Sequence, residues 1–184
     1  MTDFPHRRIV VVGATGSGKT TLAGRLAARL GVPHVELDAL HWEPNWTHAT
    51  DEEFRARADA AASAPAWVVD GNYSVCRDIV WSRAEAVVWL DYPFWTVFWR
   101  LWNRIWRRWW TRELLWGNNR EPLWVHFKLW SDDSLIKWLF KTYWRRKRQY
   151  PALLASPEYS RLKVFHLKSQ READDWLEGI EPKA

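Results

Sequence analysis

The chain has little cysteine and no long hydrophobic run, and each shortage excludes a class of protein. Cys76 is the single cysteine among 184 residues, so no internal disulfide can form and we expect a reducing compartment. The most apolar stretch, residues 86–99, contains Asp91 and Pro93 and falls short of the roughly 20 apolar residues that a spanning helix needs. The opening residues, MTDFPHRR, lack the apolar core of a signal peptide. We therefore expect a cytoplasmic protein without a transmembrane segment.

The sequence also lacks internal repeats and low-complexity tracts. Hydrophobic residues make up 47% and charged residues 27% of the chain, which excludes a disordered, collagen-like or coiled-coil protein. The length suits one domain over residues 1–184. His41, His126 and His166 show neither the spacing nor the cysteine partners of a zinc site, so we expect no metal other than Mg²⁺.

Charge and tryptophan are concentrated in one part of the chain. Residues 95–150 contain 13 Lys or Arg, 4 Asp or Glu and 11 of the 17 tryptophans. This window therefore has a balance of +9, whereas the whole chain has a net charge of +5 and the remainder is mildly acidic. Such asymmetry indicates a polyanionic partner, a phosphate-rich ligand or an acidic surface.

Short β-branched runs alternate with helical patterns along the chain, and this alternation is typical of a parallel sheet covered on both faces. Glycine, proline and the capping residues Thr50 and Ser169 mark the ends of the elements. We predict strands over 8–12, 34–37, 67–69, 86–90 and 162–167. The predicted helices cover 19–30, 51–63, 74–83, 93–110, 132–148 and 170–177, with Ser131 capping the fifth, and residues 111–130 form a loop.

The strongest chemical signal is the phosphate loop of residues 13–20, GATGSGKT, which fits the pattern G-x-x-x-x-G-K-[ST] between a strand and a helix. Its glycines let consecutive backbone N–H groups point at phosphate oxygens, and the helix adds its positive end. Lys19 reaches the β- and γ-phosphates, and Thr20 is placed to hold Mg²⁺. We predict that ATP contacts Gly13, Ala14, Thr15, Gly16, Ser17, Gly18, Lys19, Thr20 and Thr21.

Aspartates follow three of the predicted strands at the edge of the sheet where open α/β proteins bind ligands. Asp70 is a candidate Mg²⁺ ligand, although an Asp-Gly pair is also a common turn. Asp38 is a candidate base or hydrogen-bond acceptor for an acceptor hydroxyl, and its competing interpretation is a helix cap. Asp91 is interpreted as the cap of the long helix that follows it.

The tryptophans of the basic window repeat at helical spacing. Trp95, Trp99, Trp102, Trp106 and Trp109 share one helix face, which favours a packed core or a helix–helix seam. The run of Arg145, Arg146, Lys147 and Arg148 favours a solvated helix end. Two alternatives stay open for this window: a nucleic-acid surface with base stacking on tryptophan, and an interface with lipid headgroups.

Four motifs together resemble one family. GATGSGKT, LDALHW, DGNY and VVWLDYP followed by arginines are similar to the adenylate kinase-like phosphate-loop kinases. With the stretch WGNNRE, the closest resemblance is to bacterial proteins labelled adenylate kinase-related or DNA-topology-modulation proteins. The resemblance implies a three-layer P-loop NTPase fold whose five-stranded parallel sheet has the order 2-3-1-4-5. It also implies a helical or loop lid, which we assign to residues 111–131.

The resemblance also implies an acceptor site. Asp70-Gly71 matches the pair that follows the third strand of adenylate kinases, but Asn72-Tyr73-Ser74 replaces their Phe-Pro-Arg. Asn72 is therefore a candidate acceptor ligand, and Arg77 is placed to substitute for the missing arginine. Asp38 with Phe54-Arg55 is similar to shikimate kinases, in which the aspartate holds a hydroxyl group and the arginine holds an anionic group.

The same resemblance implies a nucleotide and transfer site. Arg100 and Arg104 match two arginines of the helix after the fourth strand, one beside the ATP base and one at the phosphates. Arg112 and Arg120 fall where the lid supplies arginines to the transferring phosphoryl group, and Ser169-Gln170 lies where the family packs adenine. The implied activity is transfer of the γ-phosphoryl group from MgATP to a small acceptor, with Lys19, Asp38, Arg104, Arg112 and Arg120 as catalytic residues. The competing function is a nucleic-acid-associated P-loop ATPase that uses residues 95–150.

Overall fold

The computed structural model describes residues 4–111, 114–115, 119–120 and 134–181. Its central strands are short apolar runs, of which β1 (Arg8–Gly13), β3 (Trp67–Asp70) and β4 (Ala86–Leu90) are almost wholly buried. The sheet is completed by β2 (His34–Glu36) and β7 (Lys163–Leu167), and β5 (Leu114–Leu115) and β6 (Asn119–Arg120) form a separate antiparallel pair.

Seven α-helices connect and cover the strands in the described part of the chain. They are α1 (Lys19–Leu30), α2 (Leu37–His41), α3 (Asp51–Ala62), α4 (Arg77–Arg83), α5 (Phe94–Thr111), α6 (Leu135–Leu154) and α7 (Gln170–Glu178). None of the helices in the described ranges is long and apolar enough to cross a bilayer.

The sheet has the predicted topology. Its order is β2-β3-β1-β4-β7 and every pairing within it is parallel. Since β7 is the fifth strand of this sheet along the chain, the order 2-3-1-4-5 is confirmed. Val11 of β1 lies opposite Asp70 on one side and Val88 on the other, so the carboxyl ends of the three central strands meet at one edge.

Alternate residues of β1 belong to two cores, one on each face of the sheet, because successive side chains of a strand point in opposite directions. Ile9 and Val11 pack with the apolar faces of α1, α5, α6 and α7. Val10 and Val12 pack with α3, α4 and the last turns of α6. The structure is therefore the three-layer α/β sandwich that the sequence predicts.

The capping predictions have mixed outcomes. Thr50 forms the predicted capping box with Glu53, and Ser169 accepts a hydrogen bond from the Glu172 amide at 3.2 Å. Asp91 does not cap α5, contrary to the prediction. Its carboxylate instead lies 3.3 Å from Lys147 and 3.0 Å from His166, since β7 and α6 bring these side chains to the end of β4.

Helix α6, which corresponds to the fifth predicted helix, differs from its predicted bounds. It begins at Leu135, where the Ser134 side chain accepts a hydrogen bond from the Lys137 amide, and it continues through Pro151 to Leu154. The predicted end at Arg148 was therefore wrong, whereas the predicted start at Asp132 and its cap Ser131 lie outside the described residues. The run Arg145–Arg148 lies within the helix rather than at its end. The hairpin of β5 and β6 also replaces part of the loop predicted over 111–130.

The tryptophan face of α5 is not the core that the spacing favours. The residues of α5 that pack into the core are Val97, Leu101 and Ile105, which are at most 3% exposed. Most of the tryptophan face points outward, with Trp95 65% and Trp99 57% exposed, whereas Trp102 is partly buried against the core. The smaller side chains face inward because the phosphate loop approaches α5 too closely for an indole ring to fit between them.

Candidate nucleotide and acceptor site

The phosphate loop joins β1 to α1 and has the conformation that its glycines permit. Gly16 and Gly18 have φ values of 83° and 87°, in the left-handed region that other residues avoid. The Ser17 amide donates a hydrogen bond to the Ala14 carbonyl at 3.1 Å, which closes the turn. The loop therefore curls ahead of α1, whose first N–H groups face the same space.

Two neighbours hold the loop in place. A Cβ atom on Gly16 would lie 2.7 Å from the Val97 carbonyl oxygen, so α5 supports the loop from one side. On the other side the Asn72 amide receives a hydrogen bond from the Gly13 N–H at 3.2 Å and donates one to the Gly13 carbonyl at 2.6 Å. Tyr150 donates a further hydrogen bond to Asn72 at 2.9 Å. The Asn72 side chain, predicted to bind the acceptor, thus braces the phosphate loop.

Asp70 is surrounded by hydrogen-bond donors at the end of β3. Its side chain is 2% exposed, and its Oδ1 accepts a hydrogen bond from the Thr20 hydroxyl at 3.0 Å. Its Oδ2 lies 2.7 Å from His34 Nε2, and this hydrogen bond, with the nearby charge, raises the pKa of His34 despite its burial. The turn interpretation of Asp70 does not account for such a buried and fully engaged carboxylate.

The Thr20–Asp70 pair fits the requirements of Mg²⁺. This ion prefers oxygen ligands and is held by one or two protein groups together with substrate phosphates rather than by a complete protein cage. The Thr20 hydroxyl donates its hydrogen bond to Asp70, so its oxygen lone pairs point away from that bond and stay available to a cation. Among the described residues no group of three or more His, Cys, Asp or Glu is arranged as a metal site.

Lys19 lies at the electrostatic centre of the site. Burial lowers its pKa, the carboxylates of Asp38 and Asp70 raise it, and the guanidinium groups of Arg146 and Arg104 lower it again. Two acids and two further cations therefore act on one ammonium group. Bound polyphosphate would supply the negative charge that this cluster of cations lacks.

Arg146, like His34, is a residue that sequence reasoning missed. It belongs to the run interpreted as solvated, yet it is half-buried, and burial lowers its pKa while Tyr150, Asp38 and Tyr73 raise it. Its guanidinium carbon lies 5.9 Å from the centre of the Trp138 ring. A signal was available, because Arg146 follows the buried residues Leu139, Thr142 and Tyr143 at helical spacing.

Asp38 is held on the acceptor side by Tyr73. It lies in the first turn of α2 rather than at the end of a strand, because β2 ends at Glu36. The Tyr73 hydroxyl donates a hydrogen bond to Asp38 Oδ1 at 2.7 Å. Burial and the Asp38 charge raise the pKa of Tyr73 far above its usual value, so Tyr73 stays a donor. Among the residues that the structure describes, Tyr73 is the one hydrogen-bond donor to the Asp38 carboxylate.

The other predicted acceptor ligands, Arg55 and Arg77, have contacts with groups other than Asp38. Arg55 forms a two-point ion pair with Asp78, with N–O distances of 2.8 and 2.7 Å, and also donates to the Val75 carbonyl. Arg77 lies over the Trp81 ring, 5.5 Å from its centre, and lines a small pocket with Asn72, Tyr73 and Tyr150. The structure thus brings Arg77 near Tyr73 and engages Arg55 with α4.

The predicted arginines of α5 reach the phosphate loop. Arg100 donates to the Ser17 carbonyl at 3.4 Å and lies over the Tyr92 ring at 5.2 Å. Arg104 donates to the Thr15 hydroxyl at 3.4 Å. Since Arg104 also acts on Lys19, both arginines are placed along the loop at successive turns of one helix.

The structure shows fewer contacts with the nucleotide site for the remaining predicted residues. Gln170 donates to Asp174 at 2.8 Å, and the Ser169 hydroxyl caps α7. Thr21 is exposed on α1. Arg112 lies outside the described residues, and Arg120 is described only as part of β6. Next to it, Asn119 accepts a hydrogen bond from the Trp46 amide at 2.9 Å and donates to the Glu43 carbonyl at 2.9 Å, so this hairpin is attached to the loop after α2.

The parallel sheet and the loop between β1 and α1 define an α/β P-loop NTPase fold. A family model described as an AAA domain matches residues 9–121, more than half of the chain, so the chain belongs to this family. No curated protein matches it.

Several solved structures share the fold. A gluconokinase from Sinorhizobium meliloti is 22% identical over 96% of this chain and 94% of its own, with a TM-score of 0.52. A shikimate kinase from Acinetobacter baumannii, in complex with shikimate, is 18% identical over 95% of this chain and 90% of its own, with a TM-score of 0.55. A sugar kinase from Janibacter is 20% identical over 95% and 91%, with a TM-score of 0.51. At these identities the likeness shows the fold alone.

Proposed function

We propose that this protein is an ATP-dependent phosphotransferase that moves the γ-phosphoryl group of MgATP to a hydroxyl group of a small acceptor. The observation that carries the proposal is the arrangement around Lys19. One carboxylate, Asp70, is paired with Thr20 on the metal side, and a second, Asp38, is fixed by Tyr73 on the other side. A simple ATP-binding module has no need of the second carboxylate.

The residues have separate roles in the proposed reaction. The amides of residues 13–19 and Lys19 bind the phosphates, and Thr20 and Asp70 hold Mg²⁺, which neutralises phosphate charge when bound. The acceptor oxygen attacks the γ-phosphorus in line, the bond to the bridging oxygen of ADP breaks, and the hydroxyl proton passes to Asp38. Arg104 and Arg146 stabilise the charge that develops on the phosphoryl group.

The charges around Asp38 favour an anionic acceptor. Arg146 acts on Asp38 and Tyr73, and Arg77 lines the pocket beside Tyr73. An arginine binds a carboxylate or phosphate better than a neutral sugar. The gluconokinase and shikimate kinase of similar fold are named for hydroxylated acids, which supports including hydroxylated acids among the candidate acceptors. The proposal also includes a role for Arg55 in binding the acceptor. It includes a lid over residues 111–131 that contributes Arg112 and Arg120 to the transferring phosphoryl group. It also retains the resemblance to adenylate kinase-related proteins.

A screen of acceptors tests the proposed function. The rate of ADP release is measured with hydroxy acids, sugars, nucleosides and nucleotides. We expect one of these classes to raise the rate well above that measured without an added acceptor. Asp38→Asn should then lose acceptor-dependent turnover by about 100-fold or more, while its ATP affinity, measured by titration, stays within about twofold because the loop amides and Lys19 that bind the phosphates are unchanged. If single-stranded nucleic acid stimulates ADP release and no small acceptor does, the competing ATPase function replaces this one.

A further inference from the structure

An exposed aromatic surface covers the outer side of α5 and α6. In the described part of the chain, the large hydrophobic side chains with the highest exposure all lie on these helices or at Leu114 beside them. Those of α5 are Trp95, Trp99, Trp106, Trp109 and Trp110. Those of α6 are Trp138, Phe140 and Trp144. A concentration of indole rings in one surface marks an interaction site rather than the scattered apolar residues of an ordinary exterior.

The rings are continuous across the two helices. Phe94 of α5 contacts Phe140 and Trp144 of α6, with ring centres 5.0 and 6.0 Å apart. Along α5, Trp102 lies 6.1 Å from Trp106, and Trp106 lies 5.7 Å from Trp109. Because neighbouring rings touch, the surface presents one layer rather than isolated residues.

The charge of the same helices is entirely positive. The sequences of α5 and α6 include Arg100, Arg104, Arg107 and Arg108, and Lys137, Lys141, Arg145, Arg146, Lys147 and Arg148, but no Asp or Glu. Arg107, Lys141, Arg145 and Arg148 are exposed, and a symmetric contact between two copies would place such cations against one another, since both copies offer the same patch. The occupant of the surface must therefore be anionic and able to accept indole rings.

The packing of the rings favours a lipid interface over nucleic acid. Trp95 meets Phe98 edge to face at 5.8 Å, and Phe98 meets Trp99 in the same way at 5.7 Å. Stacking of single-stranded bases needs separate ring faces along a groove, whereas these rings meet one another edge to face along a helix. Tryptophan with arginine and lysine is the composition of a helix that lies in the headgroup region of a bilayer.

We propose that the aromatic surface of α5 and α6 docks this protein onto an anionic membrane surface, with the rings in the headgroup region and the basic side chains on lipid phosphates. The two helices lie on the bilayer and do not cross it. The opposite side of α5 carries Arg100 and Arg104 to the phosphate loop. The docking surface and the nucleotide site are therefore on different sides of one helix, and docking does not depend on the proposed phosphotransfer.

Vesicle co-sedimentation tests the proposal. The full chain is mixed with phosphatidylcholine vesicles that contain about one third phosphatidylglycerol, and with pure phosphatidylcholine vesicles. We expect binding to the anionic vesicles at least about tenfold tighter than to the neutral ones, weakened by added salt. Brominated lipid in the anionic vesicles should quench tryptophan emission, because the indoles enter the bilayer; this readout needs no variant.

Paired variants distinguish binding through the aromatic surface from a general effect of the net charge of the protein. Trp95→Ala with Trp99→Ala, and separately Lys141→Glu with Arg145→Glu, should each weaken binding by about tenfold or more. Lys168→Glu with Arg171→Glu makes the same change of net charge on two exposed residues at the start of α7 and should leave vesicle binding within about twofold. Circular dichroism and ATP titration confirm that each variant is folded.

Three results would overturn the proposal. The first is equal binding to anionic and neutral vesicles, or none to either. The second is equal weakening by the Lys168–Arg171 control. The third is tight, salt-resistant binding of single-stranded nucleic acid that the tryptophan variant abolishes while vesicle binding persists. The acceptor screen has no bearing on any of these results, so either proposal can fail without the other.

Discussion

The charges of two carboxylates and two guanidinium groups act on Lys19, and its replacement therefore separates catalysis from folding. Lys19→Ala removes the ammonium that meets the developing charge, so we expect turnover to fall by about 100-fold or more. The free energy of unfolding should change by less than about 1 kcal/mol, because the lost attraction to Asp38 and Asp70 is offset by lost repulsion from Arg104 and Arg146. Turnover assays and urea unfolding measure the two effects. Unchanged turnover would remove the loop from the reaction.

The hydrogen bond from Tyr73 to Asp38 gives a second test at the scale of one residue. Tyr73→Phe leaves the ring in place and removes only the donor, so Asp38 loses its orientation. We expect acceptor-dependent kcat/KM to fall by about tenfold with ATP affinity unchanged. The matched control is Tyr143→Phe, which removes a buried hydrogen bond of 2.8 Å to the Tyr92 carbonyl away from Asp38. An equal loss of activity in both variants would mean that Tyr73 acts through stability.

At this scale the sequence predicted the residues whose spacing carries the chemistry. Lys19, Thr20 and Asp70 were predicted because a phosphate loop and a strand end restrict which side chains can meet a nucleotide. His34 and Arg146 were not, because each comes to the site only through folding. His34 lies 36 positions before its partner Asp70, and Arg146 depends on the rotation of a helix whose sequence reads as uniformly basic.

The phosphate loop offers a test at the scale of the element. Gly16→Ala places a Cβ 2.7 Å from the Val97 carbonyl oxygen at a φ of 83°, so both crowding and backbone strain oppose it. Gly31→Ala is the control, because Gly31 also has a positive φ, 63°, but has nothing within 4 Å. We expect Gly16→Ala to cost about 2–3 kcal/mol and to abolish ATP binding, and Gly31→Ala to cost about 1 kcal/mol with ATP binding retained. Equal effects of both on ATP binding would contradict the packed-loop geometry.

Helix α5 shows what spacing can and cannot predict. The repeat of Trp95, Trp99 and Trp102 correctly grouped residues on one face, but spacing does not say which face is buried. Val97, Leu101 and Ile105 form a second apolar face at intervals of four residues, and the approach of Gly16 to Val97 selects that face. The error over the tryptophans thus arose from a tertiary contact that no local pattern contains.

At the scale of the whole molecule, Glu85 links the first and fourth strands. Its carboxylate accepts hydrogen bonds from the Arg7 amide at 2.7 Å and from the Arg8 guanidinium at 2.9 Å. Burial raises the pKa of Glu85, but these hydrogen bonds outweigh it and hold the pKa below the usual 4.5. A lowered folded-state pKa means that the carboxylate stabilises the fold above pH 4.5 and that the contribution is lost as the pH falls through the folded value.

We therefore expect Glu85→Gln to lower the free energy of unfolding by about 1 kcal/mol at neutral pH. The difference from wild type should shrink once the pH falls below about 4.5. Urea unfolding of the wild type and the variant, from neutral pH to below pH 4.5, measures this difference in the free energy of unfolding. Glu181→Gln, an exposed glutamate at the other end of the chain, is the control and should show no such dependence. A difference that stays constant with pH would mean that the charge of Glu85 is irrelevant.

The overall architecture was the most predictable feature. Alternating buried strands and capped helices determine a parallel α/β layer structure, and the resemblance to phosphate-loop kinases supplied the strand order that the structure confirms. The bounds of α6 and the partners of Asp91 could not be predicted, because Lys147 and His166 reach that carboxylate from distant parts of the chain.

The fate of the γ-phosphoryl group is the most direct test of the central claim that this protein is a phosphotransferase. ATP labelled on its γ-phosphate is incubated with the protein, Mg²⁺ and the acceptors of the screen, and the products are separated. We predict that the label moves to one small hydroxylated acceptor, and that Asp38→Asn abolishes this transfer while it still binds ATP. Label recovered only as inorganic phosphate, whatever small acceptor is present, would contradict the proposed function.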